Sequence, residues 1–119
     1  MSITHEVTNQ STPLVDVNLY QRHPALQAAL DAFHPGADRA PLRALGAEMG
    51  SAAMQAHARL ANTHTPVLHT HDVQGRRIDE VEFHPSYHAL LGAALAHGLH
   101  GTPWSRGAGG HVERAAGFM

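Results

Sequence analysis

The chain has 119 residues, room for at most one domain. Its formal net charge of −2, with eight Arg and no Lys, gives no electrostatic ground for a nucleic-acid-binding face. The absence of cysteine excludes disulfides, thiolate metal sites and cysteine nucleophiles. No apolar run approaches the roughly 20 residues of a bilayer span. MSITHEVTNQ at the start lacks the basic and apolar regions of a secretory signal, so no membrane association and a cytoplasmic location are expected. Large aliphatic and phenyl side chains (Leu 12, Val 7, Phe 3, Ile 2) are set against 20 alanines, which favour helix but bury little surface. The predicted core is thin and calls for completion by something else.

Residues 1–20 read as an irregular or extended lead-in, interrupted by Pro13, with a brief alternation in VDVNLY. A first helix is predicted over residues 24–33. Pro24 suits its first position, Leu26, Leu30 and Phe33 share one face, and His34-Pro35-Gly36 stops it. One long second helix is predicted next, capped by Asp38 and carrying Pro41 near its start. Leu42, Leu45, Met49, Ala53, Ala56 and Leu60 keep helical spacing along it, and Asn62 reads as a left-handed C-cap before Pro66. Gly46 and Gly50 each cost about 1 kcal/mol relative to Ala. Lying on one face, they invite close approach of another helix.

Between Val67 and Phe83 the period changes. Asp72 and Gly75 hold the first and fourth places of a type I turn between β-tolerant segments, so a short hairpin or structured loop is predicted, packed on the helices. His84-Pro85 opens a third long helix with an apolar stripe of Tyr87, Leu90, Leu91, Ala94 and Leu95, ended by Gly98 to Gly101. Thr102-Pro103-Trp104 is predicted as a turn with Trp104 as a packing anchor, and Gly107, Gly109 and Gly110 as a flexible join. His111 to Met119 begins a new helical period (Val112, Ala115, Met119) without a C-cap, which predicts a single helical domain, 1–119, truncated at its C-terminal end. The expected fold class is mainly α: a helical bundle fragment with a hairpin or structured loop near residues 67–83.

Chemistry is sparse. Among the twelve histidines, His64, His69, His71, His84 and His88 form the best metal constellation, with Asp72 as a carboxylate. His84 and His88 have the i, i+4 spacing of a helical zinc pair, but HPSYH lacks the glutamate base of HExxH. The other reading makes His84 a cap for free N–H groups of the first helical turn. Ser86 has neighbouring histidines but no G-x-S-x-G turn. Asp79, Glu80 and Glu82 sit in a charged, solvated segment. Arg59, Arg76 and Arg77 beside them read as a salt-bridged surface. The glycines of residues 107–110 follow no strand and precede no Lys, so they form no phosphate loop. No catalytic, cofactor-binding or metal residue is assigned.

Residues 59–88, RLANTHTPVLHTHDVQGRRIDEVEFHPSYH, carry an RLAN…P…D-x-QGRR-x-D-x-V-x-FHP-x-x-H run. This run resembles the adaptive-response branch of the acyl-CoA dehydrogenase flavoproteins, bacterial oxidoreductases induced by DNA alkylation. The likeness is strong over residues 59–88 and weaker before Arg39. It includes His84 and His88 but not His64, His69 or His71, which favours capping over metal binding. It implies an N-terminal helical bundle that covers the active site and is not catalytic alone. The FAD-binding β-domain and the C-terminal helical domain, with its catalytic carboxylate, DNA-binding surface and tetramer contacts, would lie in segments absent from this chain. No cofactor is therefore expected for these residues, and the expected partner is the remainder of a homo-oligomeric flavoprotein. Arg59, Asn62, Asp72, Gly75, Arg76, Arg77, Asp79, Phe83, His84, Pro85 and His88 then read as architecture holding the hairpin between helices. The alternatives are a self-associating or partner-binding helical module using the Gly46/Gly50 face, and a His-rich metal-binding protein.

Overall fold

A computed structural model describes Thr4 and residues 6–119. Its element order is α1 (Pro24–Phe33), α2 (Ala40–Met49), α3 (Ala52–Thr63), β1 (Val67–His71), β2 (Arg77–Glu82), α4 (Pro85–Ala96) and α5 (Thr102–Phe118). The fold is mainly helical with one two-stranded antiparallel sheet, in agreement with the sequence reading. No helix among the described residues is long and apolar enough to cross a membrane.

The first helix has the predicted bounds. Pro24 occupies its first turn, and His23 Nδ1 accepts the Leu26 N–H at 3.0 Å, satisfying an orphan donor. Leu26 and Leu30 are buried, whereas Phe33, expected on the same stripe, is 80% exposed.

The predicted long second helix is two helices. The N-cap of α2 is Arg39 and not the predicted Asp38, which sits one residue earlier and accepts the Ala40 N–H through Oδ1 at 2.9 Å. The helix then breaks after Met49, because Ser51 is extended and its Oγ accepts the Met54 N–H at 3.3 Å, starting α3 afresh. Asp16, held at φ 54, supplies a second cap through the Ala52 N–H at 2.9 Å. Gly46 and Gly50 do permit a close approach, but the neighbour is the lead-in and not a helix. The Leu19 N–H donates to the Gly46 carbonyl at 3.0 Å, and the Val17 N–H to the Gly50 carbonyl at 3.4 Å. Asn18 adds a bond from its amide to the Arg43 carbonyl at 2.8 Å. Residues 16–20 thus form a strap laid across α2. Asn62 is inside α3 with no left-handed backbone, and the helix ends at His64 instead.

The Asp72–Gly75 turn is as predicted, with the Gly75 N–H on the Asp72 carbonyl at 3.1 Å and Gly75 at φ 82. Asp72 Oδ1 also accepts the N–H groups of Gln74 and Arg76 at 2.9 and 2.8 Å. The register pairs Leu68 with Val81 and His69 with Glu80, then slips so that His71 meets Arg77. Asp79, at φ 47, lies in this bulge. The expected packing of the hairpin on the helices is not found: β1 and β2 contact each other and no other element. Every residue of both strands is exposed.

His84 caps α4 as expected, its Nδ1 accepting the Ser86 N–H at 3.1 Å ahead of Pro85. At the far end the Gly98 N–H bonds to Leu95 O at 2.9 Å and the Leu99 N–H to Ala94 O at 3.2 Å, with Gly98 at φ 69. That is a Schellman stop. Tyr87, Leu91 and Leu95 of the predicted stripe are 40–47% exposed; Ser86 and Ala93 are buried instead. The predicted turn at Thr102 starts a helix, and the predicted join at residues 107–110 falls where two helical pieces meet at Gly107, whose backbone is not helical (φ 60, ψ −141). Trp104 is no anchor, being 80% exposed. In the last turns Val112 and Ala116 face the core, not Ala115 and Met119.

Tyr20, Leu26, Leu30, Leu42 and Ala116 form the core, between the strap, α1, α2 and α5. The chain spreads over 58 × 52 × 17 Å, too thin to place one helix between two others.

Candidate functional site

The matched run of residues 59–88 builds the junction of α3, the hairpin and α4. α3 and α4 lie side by side, and His57 Nδ1 meets the Oγ of Ser86 at 3.0 Å. Ser86 is only 2% exposed, so this pair is a buried pin and not an accessible nucleophile. Ser86→Ala leaves the half-buried His57 nitrogen unpaired and is expected to cost about 1–2 kcal/mol. A urea midpoint equal to that of the unsubstituted chain would show that the pin contributes nothing.

The histidines singled out for metal binding are spoken for. His64 stacks on His84 with ring centroids 4.7 Å apart, while His84 caps α4. His88 stands edge-on to Phe83 and Tyr87, which stack on each other at 4.4 Å. His69 Nε2 pairs with Glu82 at 2.6 Å across the strands, and His71 Nδ1 lies 3.1 Å from the Thr70 hydroxyl. Among the described residues, no three His, Asp or Glu side chains are placed to hold an ion. His84 thus holds the capping and packing role that the sequence also offered for it. Of the three clustered arginines, Arg77 forms the expected exposed ion pair, to Asp79 at 2.7 Å. Such a pair contributes under about 1 kcal/mol.

One cavity, with no local sequence signature, was missed by sequence reasoning. An apolar cleft of about 520 Å³ separates α4 from the strap, α1, α2 and the end of α5. Its walls include Leu19, Leu26, Leu45, Met49, Leu90 and Phe118, with Tyr20, Arg22 and His23 as polar members. Among the described residues no carboxylate or serine lines it, and His23 caps α1. The cleft can bury apolar surface. In the residue 107–110 segment, a side chain at Gly110 would fall on the Thr102 carbonyl, and one at Gly109 would lie 2.8 Å from the His34 ring. The backbones of Gly109 and Gly110 are thus packed against protein, whereas Gly107 faces open space.

A helical scaffold with a projecting hairpin is what this geometry defines. Residues 9–119 match the family described as the adaptive response protein AidB N-terminal domain, and the chain belongs to it. It is also 41% identical over 118 residues to the acyl-CoA dehydrogenase-like AidB of Escherichia coli (strain K12). That match takes in 98% of this chain but 22% of the relative, so the chain spans about a fifth of that protein.

Proposed function

We propose that this chain serves as the N-terminal helical domain of a longer acyl-CoA dehydrogenase-like flavoprotein of the alkylation adaptive response. It covers an active site assembled by the remainder and has no catalysis of its own. FAD then belongs to the following β-domain, the basic DNA-binding surface to the C-terminal domain, and the full-length form is a cytoplasmic homo-oligomer. Family membership supports the parentage, and one physical observation carries the covering role. The radius of gyration is 19.5 Å, where a compact domain of this length has about 13–14 Å. The accessible surface is 8667 Å², against about 6,200 Å² for a compact monomer of this mass. The excess of roughly 2,400 Å² is the scale that an obligate interface removes from one partner. Leu68, Val81, Leu91, Leu95 and Trp104 contribute to it.

The self-association reading loses its named contact, because the Gly46/Gly50 face already holds the strap. Reading the native gene past the Met119 codon tests the proposal. The expected result is an in-frame continuation of several hundred codons encoding the flavin and C-terminal segments. A stop codon at that point overturns it.

A further inference from the structure

The helices divide into two groups that meet only near the α2–α3 junction and the end of α4. The strap, α1, α2 and α5 enclose the core. α3, the hairpin and α4 form a second unit, pinned by His57–Ser86 and by the His64–His84 stack. α4 contacts no helix except α3, and the apolar cleft lies between α4 and the first group. The second unit is therefore joined to the first at one end only, where α3 begins and α4 finishes.

Both connections at that end have hinge character. On one side is the single extended residue Ser51 between α2 and α3. On the other are residues 98–101, with Gly98 at φ 69 and nothing within 4 Å of where a Cβ would stand, and Gly101 three residues later. Between them Leu99, 6% exposed, sits against Gly117 as a pivot. Glu48 stands just before the first hinge and His97 just before the second, and their side chains meet at 2.7 Å. Among the described residues this is the only ion pair joining the two groups.

We propose that the α3–hairpin–α4 unit swings as one rigid paddle about paired hinges at Ser51 and Gly98–Gly101, with the Glu48–His97 pair as the latch that sets how widely the apolar cleft opens. Hinge motions of this kind are absorbed by a few element-terminal residues while packed units stay intact. Leu90 and Ala94 travel with the paddle, whereas Leu19, Leu26, Leu45 and Met49 stay with the core, so the rotation changes the cleft width directly. Two hydrogen bonds cross the Ser51 hinge at its axis, from the Ala52 N–H to Asp16 Oδ1 at 2.9 Å and from Gln55 Nε2 to the Met49 carbonyl at 2.8 Å.

The chain lacks cysteine, so spin labels can be placed without background. Three double-cysteine variants of exposed residues serve: A28C/A58C across the hinge, A58C/G92C within the paddle, and A28C/A115C within the core group. Dipolar EPR is expected to give a distance distribution across the hinge about twofold broader than within either unit. With Glu48→Gln added, the hinge-spanning distribution alone should redistribute. An ion pair this exposed shifts a two-state ratio by up to about fivefold. Equal widths for all three pairs overturn the paddle. A hinge distribution unmoved by Glu48→Gln overturns the latch. Broadening of all three pairs together would mean unfolding, and would count against a rigid paddle.

Discussion

Gly50→Ala is expected to detach the strap and cost about 3 kcal/mol or more, the upper end for overpacking. The added Cβ would fall on the Val17 carbonyl oxygen, which is backbone and cannot turn aside as a side chain would. Moving the strap away breaks the bonds of Val17 and Leu19 to the glycine carbonyls. It also withdraws Asp16 from the first N–H of α3, a cap worth about 1 kcal/mol. Tyr20, 8% exposed, leaves the core with it. Gly46→Ala should act in the same direction, since its Cβ would lie 2.6 Å from the Tyr20 nitrogen. Gly92→Ala is the contrasting substitution: nothing lies within 4 Å of its Cβ, and it is exposed inside α4. There the helix gains up to about 1 kcal/mol. Urea midpoints for the three variants, with amide exchange at Leu19, read the difference. If Gly50→Ala matched Gly92→Ala, the strap would have no energetic role.

The elements legible in the sequence are those whose boundaries are set locally. His23-Pro24 and His84-Pro85 each place a side-chain acceptor before a proline that needs no partner, and both helices begin there. Asp72 and Gly75 set the turn through bonds within four residues. Gly98 ends α4 because its backbone is left-handed. The break at residues 50–51 was hidden because apolar spacing continues straight through it, from Leu45 and Met49 to Ala56 and Leu60. Its cause is distant in sequence: Asp16 and Val17 occupy the gap. Ser51 was the one local signal, a capping residue following glycine. Trp104 and Phe33 were placed inside on the usual rule for large apolar side chains. That rule presumes a layer to cover them, and the 17 Å slab has none. The cleft was illegible for a related reason. Its walls come from five separate stretches of the chain, so no spacing along the sequence describes it.

Leu30→Ala carries the other large expected effect, on the order of 2–5 kcal/mol. Leu30 is 2% exposed at the centre of the core cluster, and its neighbours are held at both ends: Leu26 by the His23 cap, Ala116 by the run of α5. They cannot close the void by shifting, which places the cost in the upper part of that range. The loss falls on a small total. A chain of this length has about 6–18 kcal/mol of stability if compact. Among its described residues nine apolar ones are buried, three of them alanines, so the low end applies. The expected result is that Leu30→Ala loses its cooperative urea transition while keeping much of its helical signal, because α3 and α4 do not use this core. Leu60→Ala, at a residue 37% exposed on α3, should move the midpoint by less than about 1 kcal/mol. Equal effects from the two would show that the stabilising core does not lie between α1, α2 and α5. A selective loss from Leu30→Ala, with the α3–α4 amides still protected, would show that the two helical groups hold together by separate contacts, as the paddle requires.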